Sequence, residues 1–249
     1  MLKIYLVDDE QVIIDELLEI VDWEKIGYTV CGFSNDSRTA LEETNQLRPD
    51  VIVCDINMGE LNGLKMIGQV LQKYPETGVI FLTAYDNFGY AVEAVNLHAL
   101  AYLMKPVRTE ELVRVLKEYR NRRCQRVFFK FMEFALTGRA DEEEIKKAEK
   151  ESREYGFVRS EEKYCFIVCG DGIEVPKEAI VSRSSGGRTL ILMRGDAFDE
   201  SLFSGADCCA GAGFYGRENF FRYASEAVRE YDGRQQAGLS ETEVIAALK

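Results

Sequence analysis

The sequence predicts a doubly wound α/β domain, a five-stranded parallel sheet with helices on both faces, followed by a long helix and a smaller α/β domain. Three observations carry this. Five short apolar runs alternate with amphipathic stretches over roughly the first 120 residues. Those runs are apolar at almost every position, as strands buried on both faces must be. Four of the five finish in a polar, chemically capable residue (Asp8 and Asp9, Asp55, Thr83, Lys105), at the strand ends where such sheets bind ligands.

In chain order, Leu2–Val7 is the first strand and stops at Asp8-Asp9-Glu10. Val12, Ile13, Leu17, Leu18 and Val21 recur at helical spacing over Gln11–Val21. Tyr28–Phe33 is rich in β-formers, and Ser37–Leu47 follows as a helix with Ser37 as its N-cap and Arg48-Pro49 as its stop. Val51–Cys54 runs into Asp55. A Gly-rich turn (Met58 to Gly63) then leads to a helix over Leu64–Lys73. Val79–Leu82 ends at Thr83, Asn87–Leu97 is helical in pattern, and Ala101–Met104 precedes Lys105-Pro106. From Thr109 no Pro or Gly intervenes before Gly138, and Leu112, Leu116, Tyr119, Val127, Phe131 and Phe134 keep helical steps. One continuous helix is expected there, its many Arg and Lys side chains forming a solvated basic face.

Asp141–Glu154 is a charged helical stretch ending before Gly156. Beyond it Tyr164–Cys169 reads as a strand, Ser184–Arg188 as the turn of a hairpin, and Thr189–Met193 as its second strand. Cys208–Phe214 is expected to be one strand. Asn219–Tyr231 is amphipathic, with Phe220, Phe221, Ala224 and Val228 on one side. The division expected is 1–122 for the main domain, 123–155 for linker helices and 156–249 for the small one.

Composition narrows the function. The 249 residues carry a formal charge of −12, which opposes non-specific binding to nucleic acid or anionic lipid. No apolar run reaches membrane-spanning length, and the N-terminus lacks a signal-peptide pattern. Seven cysteines without framework spacing point to a reducing, cytoplasmic compartment. Cys165 and Cys169 fall in a strand pattern with no histidine near, which argues against zinc.

The strand-end residues form one chemical set. Asp8, Asp9 and Asp55 repel one another wherever they meet in a partly buried crevice, and a hard divalent cation such as Mg2+ relieves that. Lys105 can pair with a carboxylate at rest and with a phosphoryl oxygen afterwards, and Thr83 can hydrogen-bond the same group. Together they suit in-line phosphoryl transfer onto an aspartate.

Asp8-Asp9 after the first strand, Asp55 after the third, Thr83 after the fourth and Lys105-Pro106 after the fifth resemble the receiver domain of two-component response regulators, over roughly residues 1–122. The resemblance implies a flavodoxin-like fold and a phosphoacceptor switch, not a turnover enzyme. Asp55 would accept the phosphoryl group from a sensor histidine kinase. Asp8 or Asp9, Asp55 and the backbone carbonyl of Asn57 would hold Mg2+. Lys105 would hold a phosphoryl oxygen from a cis Lys105-Pro106 peptide, Thr83 would follow the group inward, and Tyr102 would be the switch aromatic. Two positions depart from the family pattern. Gly59 stands where Pro is common, and His98, the single histidine, stands where a small residue is usual; His98 reads as a helix-end residue.

Family members often dimerise through the fourth helix, fifth strand and fifth helix. A homodimer on phosphorylation is therefore implied, with Thr109–Leu136 carrying the signal. LTAYDNFGYAVEAVNLHALAYLMKPV and the long helix after it resemble response regulators with an AraC-type helix-turn-helix output. After Tyr231 only 18 residues remain, so DNA is expected to be met only through a domain absent from this chain, and transcription regulation is the implied output. Residues 125–249, with 18 basic against 23 acidic side chains, agree. The central hairpin resembles the nucleotide-cyclase-like fold, but no acidic metal pair lies beside Gly186-Gly187. An alternative reading is a Mg2+-dependent phosphatase of the haloacid dehalogenase type. Asp8 and Glu10 have its spacing, but Val12 stands where its Thr belongs.

Overall fold

A computed structural model describes residues 1–59, 61–85, 87–137, 143–147, 150, 163–170, 173–197, 199, 203, 208–210, 214–215 and 220–237. The chain divides into two compact units, 1–122 and 123–249.

The first unit holds β1 (Leu2–Val7), α1 (Gln11–Ile20), β2 (Tyr28–Ser34), α2 (Ser37–Leu47), β3 (Val51–Asp55), α3 (Gly63–Lys73), β4 (Gly78–Thr83), α4 (Phe88–Asn96), β5 (Ala101–Met104) and the start of α5 (Thr109–Thr137). All five strands are parallel, in the order β2-β1-β3-β4-β5. This is the flavodoxin-like order, in which the crevice lies beside β1 and β3 where the winding reverses. Every residue of β3 and β4 is buried, since helices cover both faces. Tyr5, Ile52, Phe81, Ile67 and Val70 anchor one of the resulting cores. Tyr28 Oη donates to the Leu116 carbonyl at 2.8 Å, and Tyr119 Oη to the Asp50 and Glu76 carbonyls at 3.2 and 3.1 Å, fastening α5 to the sheet.

Helix ends differ from the sequence reading by a residue at α1, α3 and α4, and at α2 the cap itself differs. Asp36, not Ser37, caps α2, because its carboxylate reaches the Thr39 N–H at 2.7 Å, whereas Ser37 is already helical and buried. His98 follows the C-cap of α4 with φ 54°, donates its N–H to the Val95 carbonyl, and is exposed, so it does end a helix.

In the second unit β6 (Lys163–Gly170), β7 (Val181–Ser185), β8 (Arg188–Arg194), β9 (Cys208–Ala210) and β10 (Phe214–Tyr215) precede α6 (Phe220–Ala237). The sheet is antiparallel, β10-β6-β8-β7, with β9 also on β6. The hairpin turn is tighter than the sequence suggests. Ser184, Ser185 and Arg188 belong to the strands, leaving Gly186 and Gly187 at φ 61° and 78° as a two-residue turn. Cys208–Phe214 is not one strand: Cys208–Ala210 and Phe214–Tyr215 pair with different ends of β6.

Both faces of β6 and β8 are buried. Tyr164, Phe166, Val168, Leu190 and Leu192 pack with Phe128, Met132 and Leu136 of α5 and Ala224 and Val228 of α6. Cys165, Ile167, Cys169, Ile191 and Met193 face the other way, with Phe203. Arg188 joins these elements, donating to the Leu136 carbonyl at 3.0 Å and pairing with Asp232. On α5 Val127 is buried as expected, but Phe134 is only half-buried because Phe128, Met132 and Leu136 take the core. The Phe131, Phe220 and Phe221 side chains lie outside the described set, as do 141–142, 148–149 and 151–154 of the charged stretch. Residues 143–147 and 150 are helical.

Gly63 is the glycine on which the crevice depends. Its N–H donates to the Ile56 carbonyl at 2.9 Å, and a Cβ there would overlap the Asp55 carbonyl oxygen and lie 2.9 Å from Cys54 Sγ. The Gly63→Ala change is expected to cost roughly 1–3 kcal/mol. Its measure is a lower denaturation midpoint at unchanged slope; a wild-type midpoint contradicts the packing argument.

Candidate functional site

Strand register builds the site. Val7 pairs with Cys54, Asp55 with Leu82 and Thr83 with Met104. The next residue of β1 is Asp8 and the next after β5 is Lys105, so residues distant in sequence emerge level at one rim. Asp8, Asp55 and Thr83 are buried, at 1%, 4% and 0% exposure, while Asp9 is exposed.

Lys105 is the centre of the rim. Its Nζ lies 3.0 Å from Asp8 Oδ1 and 2.8 Å from Asp8 Oδ2, 3.0 Å from Asp55 Oδ2 and 3.2 Å from Glu10 Oε1. Burial works to lower the Lys105 pKa, but the hydrogen bonds it donates to Asp8 and Asp55 outweigh it and hold the ammonium above its ordinary value. The Asp8 pKa is raised as well, which for a carboxylate favours the neutral form. Burial raises its pKa, offset in part by Lys105 and by the Glu10 N–H at 3.1 Å. The Lys105-Pro106 peptide is cis. Glu10 is the participant that sequence reasoning did not place on Lys105; its adjacency to the Asp pair was the available signal.

Carboxylate oxygens of Asp8, Asp9 and Asp55 lie within 4.8 Å of one another. Asp8 Oδ2 is buried and accepts no aligned hydrogen bond despite its closeness to Lys105. With Glu10 the rim holds four carboxylates, three of which, Asp8, Asp55 and Glu10, share the Lys105 ammonium. An all-oxygen donor set with a spare buried lone pair and excess negative charge fits a hard cation such as Mg2+. Asn57 donates its N–H to Asp55 Oδ1 at 3.3 Å and lines an open cleft of about 620 Å³ with Tyr85, Asn87, Phe88 and Tyr90. The loop holding Asn57 turns at Gly59 with φ 50°, a conformation that the ring of the more usual Pro could not adopt.

Thr83 and Tyr102 meet through a third residue. Thr83 Oγ1 donates to the Tyr85 carbonyl at 3.3 Å and accepts the Tyr85 N–H at 3.2 Å, and Tyr102 Oη donates to the same carbonyl at 3.2 Å. Tyr85 itself was not singled out from sequence. The phosphatase alternative gains nothing from this geometry: Val12 is 66% exposed on α1, and Glu10 is engaged with Lys105. No helix among the described residues is long and apolar enough to cross a membrane.

Comparison with known proteins points the same way. Residues 4–117 match the family model of the response regulator receiver domain. The sensory transduction protein LytT of Bacillus cereus is 35% identical over 128 residues, 51% of this chain and 50% of that protein. The positive alginate biosynthesis regulatory protein of Pseudomonas aeruginosa is 36% identical over 118 residues, 47% of this chain and 46% of that protein. The transcriptional regulatory protein YesN of Bacillus subtilis is 31% identical over 118 residues, 47% of this chain and 32% of that protein. The chain thus spans between a third and a half of the length of these relatives. Among solved structures, the receiver domain of AraT, a response regulator from Geobacillus stearothermophilus, is 34% identical, covering 47% of this chain and 93% of that one with a TM-score of 0.45. On the family match, the β2-β1-β3-β4-β5 sheet and its acidic rim, the first half of this chain belongs to the response regulator receiver domain family.

Proposed function

We propose that this protein is a phosphoacceptor switch of a two-component system, taking a phosphoryl group on Asp55 from a sensor histidine kinase, with transcription regulation as its output. The observation that carries the reading is the clasp of one buried ammonium, Lys105, between Asp8 and Asp55 beside Asp9. An Asp55 carboxylate oxygen attacks phosphorus in line, the N–P bond of the phosphohistidine breaks, and an aspartyl phosphate forms. Asp8, Asp9, Asp55 and the Asn57 carbonyl would hold Mg2+, which when bound offsets phosphoryl charge. Lys105 exchanges a carboxylate for a phosphoryl oxygen. Water supplies the slow loss of the group, so the protein turns over no substrate of its own.

Thr83 then leaves the Tyr85 carbonyl for the phosphoryl oxygen, which frees the acceptor that Tyr102 shares. Phe88, Val92 and Val95 on α4 and Met104 on β5 are exposed apolar side chains, and they support a homodimer through α4, β5 and α5 on phosphorylation. The match of the receiver to relatives named as regulators supports transcription as the output, with α5 transmitting the change. A reducing cytoplasm fits a partner kinase and the protein's thiols.

Incubation with acetyl phosphate and Mg2+ is expected to add the mass of one phosphoryl group to the wild type and none to Asp55→Asn. Equal labelling of both disproves Asp55 as acceptor. Thr83→Ala should keep the label yet lose association on phosphorylation, read by light scattering; undiminished association disconnects Thr83 from output.

The Asp8 shift yields a prediction with a definite sign. Because folding raises its pKa, stability from Asp8 is fully present below the unfolded value near 3.8 and is lost as pH rises through the higher folded one. At neutral pH the Asp8→Asn change is therefore expected to raise the melting temperature of the Mg2+-free protein. The same change should weaken Mg2+ binding by about tenfold or more, so that added Mg2+ stabilises the variant less than the wild type. A lower Mg2+-free melting temperature, or unchanged stabilisation by Mg2+, contradicts this account.

A further inference from the structure

The second unit brings two thiols together across adjacent strands. In the antiparallel ladder of β6 with β9, Cys169 is the direct partner of Cys208. Both belong to one apolar cluster with Ile167, Ile191 and Met193, and both are reduced. Directly opposed residues of an antiparallel pair share a face and have Cα atoms about 4.5–5.5 Å apart, within the range of about 4.4–6.8 Å that a disulfide requires. Cys208 is the first residue of β9. Accessibility divides the pair: Cys169 is fully buried and Cys208 is half-exposed. Cys165 lies on the same face, but its ladder partner is Met193, and burial pushes its thiol up to about 11, so it stays protonated at neutral pH.

We propose that Cys169 and Cys208 form a peroxide-sensitive dithiol whose oxidation locks β9 onto β6. The more exposed Cys208 sulfur attacks one oxygen of hydrogen peroxide. The O–O bond breaks, hydroxide departs and takes up the thiol proton as water, and Cys208 becomes a sulfenic acid. The Cys169 sulfur then attacks the Cys208 sulfur, the S–O bond breaks, and the second hydroxide leaves as water with the Cys169 proton. Two thiols give two electrons to one peroxide, and a disulfide closes the chain between residues 169 and 208. A cellular dithiol reductant reverses it, as suits a transient bond in a reducing compartment. This chemistry is separate from the Asp55 site and does not rest on it.

The test exposes the full-length reduced chain to hydrogen peroxide. The expected product has two fewer titratable thiols, a mass lower by two hydrogens, and a non-reduced tryptic peptide joining the β6 and β9 segments, all restored by dithiothreitol. Its unfolding temperature should rise by roughly 5–10 °C. Cys165→Ser, Cys209→Ser and Asp55→Asn should each keep the cross-link, and Cys208→Ser should lose it. The proposal is overturned if the wild type loses thiols without an intramolecular cross-link, if the cross-link survives Cys208→Ser or vanishes in Cys165→Ser, or if it forms without raising the unfolding temperature.

Discussion

Lys105 Nζ lies within 3.2 Å of oxygens from Asp8, Asp55 and Glu10, with most of its side chain out of water. Asp8 and Asp55 are both buried, and leaving them without a cation would be intolerable, since an unpartnered buried charge costs several kcal/mol. The ammonium makes the cluster viable, and the cluster in turn keeps the lysine charged against its own desolvation. The pairing also spans the sheet from the end of β1 to the end of β5. Next to it the Lys105 N–H donates to the Thr83 carbonyl at 2.8 Å, and the Thr83 and Tyr102 hydroxyls both donate to the Tyr85 carbonyl.

The rim depends on register more than on any loop. Each strand delivers its functional residue within one position of its neighbour's, and parallel pairing holds that alignment because a slip would turn buried side chains to the wrong face. Gly63 extends the same constraint into the loop after β3 by letting that loop return against the Asp55 backbone. Capping does the rest locally, with Asn62 accepting the Leu64 N–H at 2.7 Å and Asn87 the Gly89 N–H at 2.8 Å.

The second unit uses different physics. Its central strands are buried on both faces although the sheet is antiparallel, so β6 and β8 read as unbroken apolar runs and could be mistaken for parallel strands. α5 contributes to two separate cores, Leu112 and Leu116 being buried in the first unit and Phe128, Met132 and Leu136 in the second. In a helix that long, one apolar stripe does not serve both, which is why Phe134 kept the period but not the burial.

Much of this was legible in the order of residues. Apolar runs of strand length, interrupted by amphipathic helices, determined the doubly wound domain, because only strands covered on both sides can be apolar throughout. The spacing of Asp8, Asp9, Asp55, Thr83 and Lys105 along those runs determined the candidate site, since the carboxyl ends of such strands share an edge. Tertiary structure alone decided the rest. Glu10 joined Lys105, and Tyr85 became the acceptor between Thr83 and Tyr102, because side-chain reach across loops has no period in sequence. Asp36 took the cap from Ser37 on a backbone turn one residue earlier. Cys169 met Cys208 because antiparallel register, unlike periodicity, is a relation between two strands and is written in neither of them.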